Sequence, residues 1–360
     1  MLRKLSLAGV SAVCFFHVQA QDTTKTLTIS GSIDAYYRYN FSGQQNNFTS
    51  FTNSQSSFEL GMATIKAEAT ALSGKVGATV DLGYGRRAEE FSYNDGVDGS
   101  NGSGKNGFHT LTAVKQAFVT YMPSSKLKFT AGKFATHVGY ELLDAPLNRN
   151  YSMSYMFTNG PFFHQGLKAD FTAGAVGFML GITNYTDQTT ATTTVNNLIA
   201  QISAATPNGK LKAYLNYSGF GGSDGGENPS GLQSLNQVDA VVLATLSTKF
   251  NIGYNGTVQA RKPVDGSSGS WVGNALYLNF DPTPALGITL RSEYISDNKM
   301  VYFTTKNIFA NTLSFNAKIG PLTIVPELRF ETAQSGIFLK NDGSASTSTA
   351  SALLAVMYKF

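Results

Sequence analysis

The chain has 360 residues, of which 36 are glycine, 12% are aromatic and only 14% are charged. Soluble domains carry roughly 25% charged residues, yet the mean hydropathy is only −0.10, so uncharged polar residues must supply the polar surface. This composition suits strands that are apolar on one face only. The formal net charge of +4 shows no basic excess of the kind that nucleic-acid binding requires.

The N-terminus has the three parts of a secretory signal peptide. Arg3 and Lys4 supply positive charge, residues 5–16 form an apolar run, and small residues precede a cleavage position after Ala20. We therefore expect residues 1–20 to be a signal peptide that is cleaved during secretion. A buried N-terminal helix is the alternative.

The remaining residues, 21–360, are expected to form a single domain. The only cysteine is Cys14, inside the predicted signal peptide, so no disulfide is expected in this domain. No segment after the signal approaches the about 20 consecutive apolar residues of a transmembrane helix. If this domain crosses a membrane, it must do so as strands.

The first predicted strand, residues 27–41, shows the clearest periodicity. Apolar or small residues occupy the odd positions from Leu27 to Phe41, and mostly polar residues such as Asp34 and Arg38 occupy the even ones. Alternation of this kind is typical of a strand. Its length exceeds the roughly five or six residues usual in soluble sheets and suffices for a transmembrane strand, which needs about 9–11 residues.

Similar alternation continues along the chain, and short connections alternate with long ones. Bacterial outer-membrane barrels have an even number of antiparallel strands, short periplasmic turns and long extracellular loops. We therefore predict an all-β fold, a transmembrane antiparallel up-and-down β-barrel of about 16 strands, with fourteen or eighteen as alternatives. The predicted strands are residues 27–41, 56–72, 75–87, 110–122, 126–135, 163–173, 175–186, 197–206, 209–220, 235–248, 249–262, 270–281, 286–298, 307–319, 321–333 and 350–360.

Aromatic residues near strand ends support a membrane barrel, because such barrels carry aromatic girdles at both interfaces. Tyr39 and Trp271 are expected at the outer rim, and Tyr358 and Phe360 at the periplasmic rim. A terminal Phe that closes an alternating strand also resembles the signal by which outer-membrane barrels are recognised for assembly, so the barrel-assembly machinery is an expected partner. A soluble β-sandwich is the alternative fold.

Charged residues should face the lumen, because a charge at the bilayer midplane on the lipid face costs about 2–4 kcal/mol. Six cations and seven anions are inward candidates, and this near balance predicts weak ion selectivity. In two predicted strands, the apolar residues do not stay on one face. A bulge would explain residues 56–72, and in residues 110–122 Lys115 falls among the otherwise apolar positions. The pore-lining candidates are Asp34, Arg38, Lys168, Asp170, Lys212, Arg261, Arg291, Glu293, Glu327, Arg329 and Glu331, together with Asp81 and Asp239.

The connection 136–162 differs from the other long connections. It carries several large apolar residues and little Gly or Ser bias, so it contains side chains that favour burial. The nearest enclosed space is the lumen, and we expect this segment to fold inward and narrow the pore. A packed extracellular loop is the alternative. The candidate constriction residues are Glu141, Asp144, Asn148, Arg149 and Tyr151.

Several short motifs in this region resemble the core motif of the OmpL-like β-barrel porins. The motifs are KQAFVTY (115–121), GKF (132–134), GYE (139–141), Asn148, NYSMS (150–154) and PFFHQG (161–166). The general pattern of the resemblance extends over most of the mature chain. The resemblance implies an outer-membrane porin and identifies no substrate or binding residue.

The sequence therefore predicts passive or weakly selective diffusion of small hydrophilic solutes across the outer membrane of a Gram-negative bacterium. Outer-membrane lipid and these solutes are the expected partners, nucleic acid is not, and a homo-oligomer such as a trimer is common among general porins. An adhesin or receptor barrel is the first alternative. An outer-membrane hydrolase, using for example His164 beside a loop serine, is the second.

No enzymatic activity or cofactor is expected. Residues 99–105 have the glycine and lysine spacing of a phosphate-binding loop, but Asn106 stands where Ser or Thr would coordinate magnesium. The three histidines outside the signal, His109, His137 and His164, lack a metal-ligand spacing, so no metal is expected either.

Overall fold

A computed structural model describes residues 25–93, 110–191, 195–221, 231–264, 266–300 and 302–360. The predicted signal peptide and the segment 99–105 lie outside the described residues. Strands make up most of this part of the chain, and they are β1 (Thr26–Asn40), β2 (Ser57–Ala71), β3 (Val76–Tyr84), β4 (Val114–Ser124), β5 (Leu127–Ala135), β6 (Phe163–Ala173), β7 (Val176–Asn184), β8 (Asn196–Ala205), β9 (Leu211–Gly221), β10 (Leu232–Thr245), β11 (Phe250–Pro263), β12 (Gly269–Thr283), β13 (Leu286–Ser296), β14 (Asn307–Ile319), β15 (Leu322–Ala333), β16 (Phe338–Leu339), β17 (Ala345–Ser346) and β18 (Ser348–Lys359).

Sixteen of these described strands form one closed antiparallel barrel, and β16 and β17 form a separate two-stranded hairpin. Each barrel strand pairs with its neighbours along the chain, and β1 closes the barrel by pairing with β18, from Ser32 opposite Lys359 to Asn40 opposite Ser351. Closure leaves no unpaired sheet edge, which is what a hydrocarbon environment requires. The predicted 16-stranded barrel is confirmed.

The barrel wall is apolar outside and polar inside. In β15, Leu328 and Phe330 are 53% and 50% exposed, whereas Glu327 and Arg329, which alternate with them, are 3% and 5% exposed. Period-2 alternation therefore separates a lipid face from a lumen face, as the sequence pattern predicts. Among the described residues, no helix is long and apolar enough to cross a membrane.

Connections at one end of the barrel are short and those at the other end are mostly long. The short turns are 72–75, 125–126, 174–175, 206–210, 246–249, 284–285 and 320–321. Among the opposite connections, 264–268 is no longer than the turn 206–210, because β11 and β12 extend further than the alternation predicts. The predicted arrangement of short periplasmic turns and long extracellular loops otherwise holds.

The boundaries of three predicted strands differ from the structure by three or four residues. β10, predicted as 235–248, begins and ends three residues earlier, and the other two strands, β3 and β4, adjoin helical turns. The prediction for β3 runs to residue 87, but the strand ends at Tyr84 and a short helix, α1 (Arg86–Phe91), follows. The prediction for β4 begins at residue 110, where the structure has a 3₁₀ turn (Thr110–Ala113) before the strand. Local helical turns of this kind interrupt alternation over too few residues to be recognised in a sequence.

Bulges explain why the apolar residues of two predicted strands do not stay on one face. The pairing of β1 with β2 shifts between Asp34 and Ala35, which face Met62 and Leu60, so Gly61 is the extra residue. The pairing of β3 with β4 shifts similarly between Asp81 and Leu82, and Lys115 is left over in β4. A bulge reverses the faces of the residues that follow it. Lys115 is thereby directed inward.

Trp271 departs from its predicted place in an aromatic girdle. Its side chain is only 1% exposed, lies on the lumen face of β12, and donates its indole N–H to Gln259 Oε1 at 3.1 Å. Tyr39, Tyr358 and Phe360, in contrast, are exposed on the outer face. The indole N–H needs an acceptor when buried, and the polar lumen face of β11 provides one.

Gly61 is required because the lumen side of the bulge has no room for a side chain. A Cβ at this position would overlap Asp34 Oδ1 and Tyr151 Oη. We expect Gly61→Ala to lower the midpoint of heat unfolding, measured by the gel shift of the folded protein, by roughly 2 °C or more, since overpacking typically costs about 1–3 kcal/mol.

Gly221→Ala is the matched control for this substitution. A Cβ at Gly221 would meet only Ser234 Cβ, at 4.0 Å, so its midpoint should equal that of the wild type. Equal midpoints for both variants would contradict the account of the bulge.

Candidate functional site

The segment 136–162, called the lumen loop below, folds into the barrel. It leaves the end of β5 and returns at the start of β6. The backbone N–H of Gly139 donates to Asp239 at 3.0 Å and that of Tyr140 donates to Asn255 at 3.2 Å. The Tyr140 ring stacks on Tyr277 with centroids 3.9 Å apart. The predicted inward course is therefore confirmed.

Buried carboxylates on the barrel wall accept hydrogen bonds from the backbone of the lumen loop. Glu327 accepts from the N–H of Tyr151 at 2.9 Å and of Ser152 at 3.2 Å. Glu293 accepts from the N–H of Tyr155 at 2.8 Å, at the start of the short helix α2 (Tyr155–Thr158). A carboxylate buried in this way needs such donors, because its hydration is lost.

Two buried arginines bind the same stretch of loop through its carbonyl oxygens. Arg291 donates to Ser152 O at 2.7 Å and to Met153 O at 3.2 Å, and it forms an ion pair with Glu141 of the loop. Arg329 donates to Met153 O at 3.0 Å. The guanidinium group suits this role because it offers five N–H donors in a fixed geometry.

Wall residues on β13 and β15 complete this ionic cluster. Arg329 contacts Glu293 at 3.1 Å and Glu331 at 3.0 Å. Glu331 also accepts from the Tyr155 hydroxyl at 2.9 Å. Both guanidinium groups thus contact carboxylates and loop carbonyls together, so the loop belongs to the same charge-compensating network as the wall.

The loop also contacts the wall at two further places. Lys115 contacts Asp81 at 3.0 Å and Asp144 of the loop at 2.6 Å. Arg149 of the loop binds Asp281 of β12 through two N–H groups, at 2.9 and 2.6 Å. Contacts on β3, β4 and β12 hold the loop across the width of the lumen.

Apolar packing above the loop comes from two other connections, which the sequence did not predict to fold inward. Phe51 of the connection 41–56 and Phe91 of α1 are each 1% exposed and pack with Met153 and Phe157 of the lumen loop. Arg87 of α1 donates to Tyr151 O at 3.1 Å. The lumen loop therefore lies between the wall and a cover formed by its neighbours.

The predicted pore-lining residues fall into two groups. All lie on the inward face, but one group is at most 5% exposed and, apart from Asp81, which binds Lys115, contacts loops. This group comprises Asp34, Arg38, Asp81, Asp239, Arg291, Glu293, Glu327, Arg329 and Glu331. Arg38, for example, donates to the carbonyls of Gln45 and Ser54. The second group faces open space: Lys168 and Asp170 are 20% and 29% exposed, Lys212 is exposed and Arg261 is half-buried.

The constriction candidates contact the wall or the loop itself. Glu141, Asp144 and Arg149 form the ion pairs already described, and the Tyr151 hydroxyl donates to Asp34. Asn148 instead bonds within the loop, where its side chain accepts from Leu142 N–H at 2.9 Å. Asn148 and Arg149 are both half-buried.

The accessible part of the lumen lies near the periplasmic ends of β2, β5, β6 and β9. Inward Lys66, Glu68 and Lys128 are 34%, 45% and 42% exposed there. Across the lumen, inward side chains on β12 to β15 such as Tyr277, Thr289, Ser314 and Val325 are at most 2% exposed. Nearer the extracellular end, inward Lys133, His164 and Ser218 on β5, β6 and β9 are also at most 1% exposed, so the wall is buried on both sides of the lumen at the level of the loop.

A cluster at the start of the loop was missed by the sequence analysis. His137 bonds to Tyr217 O at 3.0 Å, and its ring centroid is 5.4 Å from that of His164. Phe134 is buried beside His164, on the wall that carries Lys168. Burial lowers the pKa of His137 to about 4, so it is neutral at physiological pH. Within the described ranges, no group of His, Cys, Asp or Glu could hold a metal ion.

Residues 26–360 match the family described as "Putative beta-barrel porin-2, OmpL-like". The chain belongs to this family of outer-membrane porins. The match spans all the barrel strands, from β1 to β18, and it confirms the resemblance seen in the motifs. A comparison with curated proteins finds no sequence match.

Solved porin structures share the fold at low sequence identity. The outer-membrane channel DcaP of Acinetobacter baumannii aligns with a TM-score of 0.63 at 11% identity, covering 93% of this chain and 97% of the other. An anion-selective porin from Comamonas acidovorans gives 0.62 at 10% identity, covering 94% and 100%. OmpT of Vibrio cholerae, in a trimer form, gives 0.59 at 10% identity, with 94% and 100% covered.

Replacing Arg291 should destabilise the packed lumen loop. Arg291→Met leaves Glu141 and two loop carbonyls without their buried donor, and removing one partner of a buried pair costs about 3–5 kcal/mol. We expect a lower midpoint of urea unfolding and faster proteolytic cleavage within 136–162, measured on the folded protein in detergent.

Lys212→Met is the control for Arg291→Met. It removes an inward but exposed lysine, and it should leave the unfolding midpoint and the cleavage rate unchanged. An Arg291→Met protein as stable and as resistant as the control would contradict the assigned role.

Proposed function

We propose that the protein is a diffusion pore for small hydrophilic solutes, with a water-filled path that passes the lumen loop and continues along the periplasmic ends of β2, β5, β6 and β9. The observation that carries the proposal is the set of accessible charged side chains near the periplasmic ends of these strands. Inward Lys128, Lys168 and Lys212 remain accessible there, whereas inward residues at the level of the loop are buried. Barrels of this size leave an aqueous channel.

The accessible charges support a weak preference for anions. Four lysines, Lys66, Lys128, Lys168 and Lys212, face this path with two carboxylates, Glu68 and Asp170. The carboxylates contact three of these lysines at 2.8–3.7 Å and partly neutralise them. A strongly selective filter needs a ring of one sign. The mixed set supports a modest preference only.

We further propose that transport involves neither turnover nor a cofactor.

A signal peptide, residues 1–20, would direct secretion and be cleaved after Ala20, leaving one barrel domain in residues 21–360. The exposed terminal Phe360 would be recognised by the barrel-assembly machinery. A homotrimer in outer-membrane lipid is the proposed assembly, in keeping with the trimer form of OmpT.

Conductance in a planar bilayer tests the pore. The purified protein should give discrete current steps, and deletion of residues 141–157 should increase the step size at least about twofold because it widens the path. Deletion of the hairpin tip 341–344, which is exposed, should leave the step size unchanged. Folded, heat-modifiable protein that inserts without current would overturn the pore, and equal steps in both deletions would overturn the constriction.

The charge preference can be tested by reversing two lysines. In a salt gradient, Lys128→Glu combined with Lys212→Glu should lower the permeability ratio of chloride to potassium at least about twofold, because both lysines face the path. Lys340→Glu changes an exposed lysine in the β16–β17 hairpin and is the control. A ratio that changes equally in both variants would contradict the proposed path.

A further inference from the structure

A cavity of about 380 Å³ opens at the extracellular end of the lumen, between the end of the lumen loop and the ends of β9 to β11. Its size lies within the roughly 300–1,000 Å³ range of small-molecule sites. Four aromatic rings line it: Tyr93, Phe162, Tyr185 and Tyr302. Rings at a polar mouth provide flat apolar faces with hydrogen-bonding edges.

Amide and hydroxyl groups supply the rest of the lining. Gln237 and Gln259 come from β10 and β11, and Ser50, Asn159 and Ser218 come from two loops and β9. Gln259 already donates to Asn159 O and Gln237 Oε1 and accepts from Trp271, and Gln237 donates one N–H to Thr257. Gln237 therefore retains one N–H, each amide oxygen retains one lone pair, and each hydroxyl can donate or accept. A lining of this kind matches a solute whose own groups both donate and accept.

The charge of the cavity is close to neutral. Its two carboxylates, Glu90 and Asp187, are already engaged: Glu90 pairs with Arg86 at 2.9 Å, and Asp187 accepts from the N–H of Phe162 and Phe163. Burial raises the pKa of Asp187 to about 7, so it is only partly ionised at neutral pH. Within the described residues, no lysine or arginine lines the cavity.

These features exclude the alternatives in turn. An anion would find no cation in the lining, because the nearby Arg261 guanidinium is stacked on the Tyr302 ring, 4.4 Å from its centroid. A cation would find two carboxylates whose charge is paired or partly protonated. A neutral ring with several hydroxyl groups satisfies both conditions, because its C–H faces pack on aromatic rings while its hydroxyls bond to amides and carboxylates.

We propose that this cavity binds a small neutral saccharide, held between aromatic faces and the amides of Gln237 and Gln259, before it enters the pore. The assignment of the site to transport rests on the proposed function; the binding itself does not. The cavity thus narrows the proposed solutes of the pore from small hydrophilic molecules in general to neutral saccharides.

The chain carries its own reporter for this site. Trp271 is the only tryptophan in the sequence. Its indole N–H donates to Gln259 Oε1 at 3.1 Å, and its ring centroid is 6.0 Å from that of Tyr302. A ligand that contacts Gln259 or Tyr302 should therefore change the tryptophan fluorescence.

Fluorescence titration of the folded full-length protein with maltose tests the proposal. We expect a saturable change with an apparent Kd of about 1–10 mM. Thr186→Phe places a ring in the cavity that Thr186 lines and should weaken the apparent affinity at least about tenfold. The matched control, Thr190→Phe, changes an exposed residue outside the cavity and should titrate as the wild type does.

Gln237→Leu provides a second variant, in which the new side chain is similar in size to the one that it replaces. It removes the amide while the ring faces stay in place, and it should also weaken maltose binding at least about tenfold. Choline chloride and sodium gluconate serve as cationic and anionic probes. A saturable response to either charged probe but none to maltose would overturn the saccharide assignment, as would equal maltose binding by Thr186→Phe and Thr190→Phe.

Planar-bilayer currents recorded on the same protein separate this proposal from the pore. Current steps without a saturable maltose response would overturn the saccharide site and leave the pore intact. A maltose response in protein that inserts without current would support the site and overturn the pore.

Discussion

The buried charges of the barrel wall are the constraint on which the rest of the lumen depends. A 16-stranded barrel encloses more space than its own side chains can fill, and Arg291, Glu293, Glu327 and Arg329 lie inside it with at most 5% exposure. Burial without partners would cost several kcal/mol for each ion. The backbone of the lumen loop supplies the partners, since the wall carboxylates accept its N–H groups and the wall guanidiniums donate to its carbonyls.

These contacts between the wall and the lumen loop also determine the shape of the pore. Because the anchoring charges lie on β13 and β15, the loop is bound to that part of the wall, and accessible charged residues are left near the periplasmic ends of β2, β5, β6 and β9. Lys115 and Arg149 extend the attachment across the lumen through Asp144 and Asp281. The charged side chains that would attract ions in an empty barrel therefore bind the loop that narrows the pore. The ion selectivity of the path depends on other charged residues, among them the accessible lysines.

Alternation in the sequence predicts the barrel because the period of two directly reports which face a residue occupies. It also predicts the inward loop, since the apolar residues of 136–162 need burial. It does not reveal which inward residues meet water: Arg38 and Arg291 share a face with Lys168 and Lys212, yet only the last two are accessible. That difference depends on contacts between residues such as Glu327 and Tyr151, which are far apart in the chain. The placement of Trp271 was missed for the same reason, because its acceptor, Gln259, lies on the neighbouring strand.

Hydrogen–deuterium exchange tests the central claim most directly, because the claim concerns particular backbone N–H groups. If wall carboxylates hold the loop, the amides of Tyr151, Ser152 and Tyr155 should exchange as slowly as amides of the barrel strands, although they lie in a connection. The amides of the exposed turn at Asp342 and Gly343 should exchange fast in the same sample. Fast exchange at Tyr151, Ser152 and Tyr155 in the folded protein would show that the loop is not bound to the wall and would contradict the account.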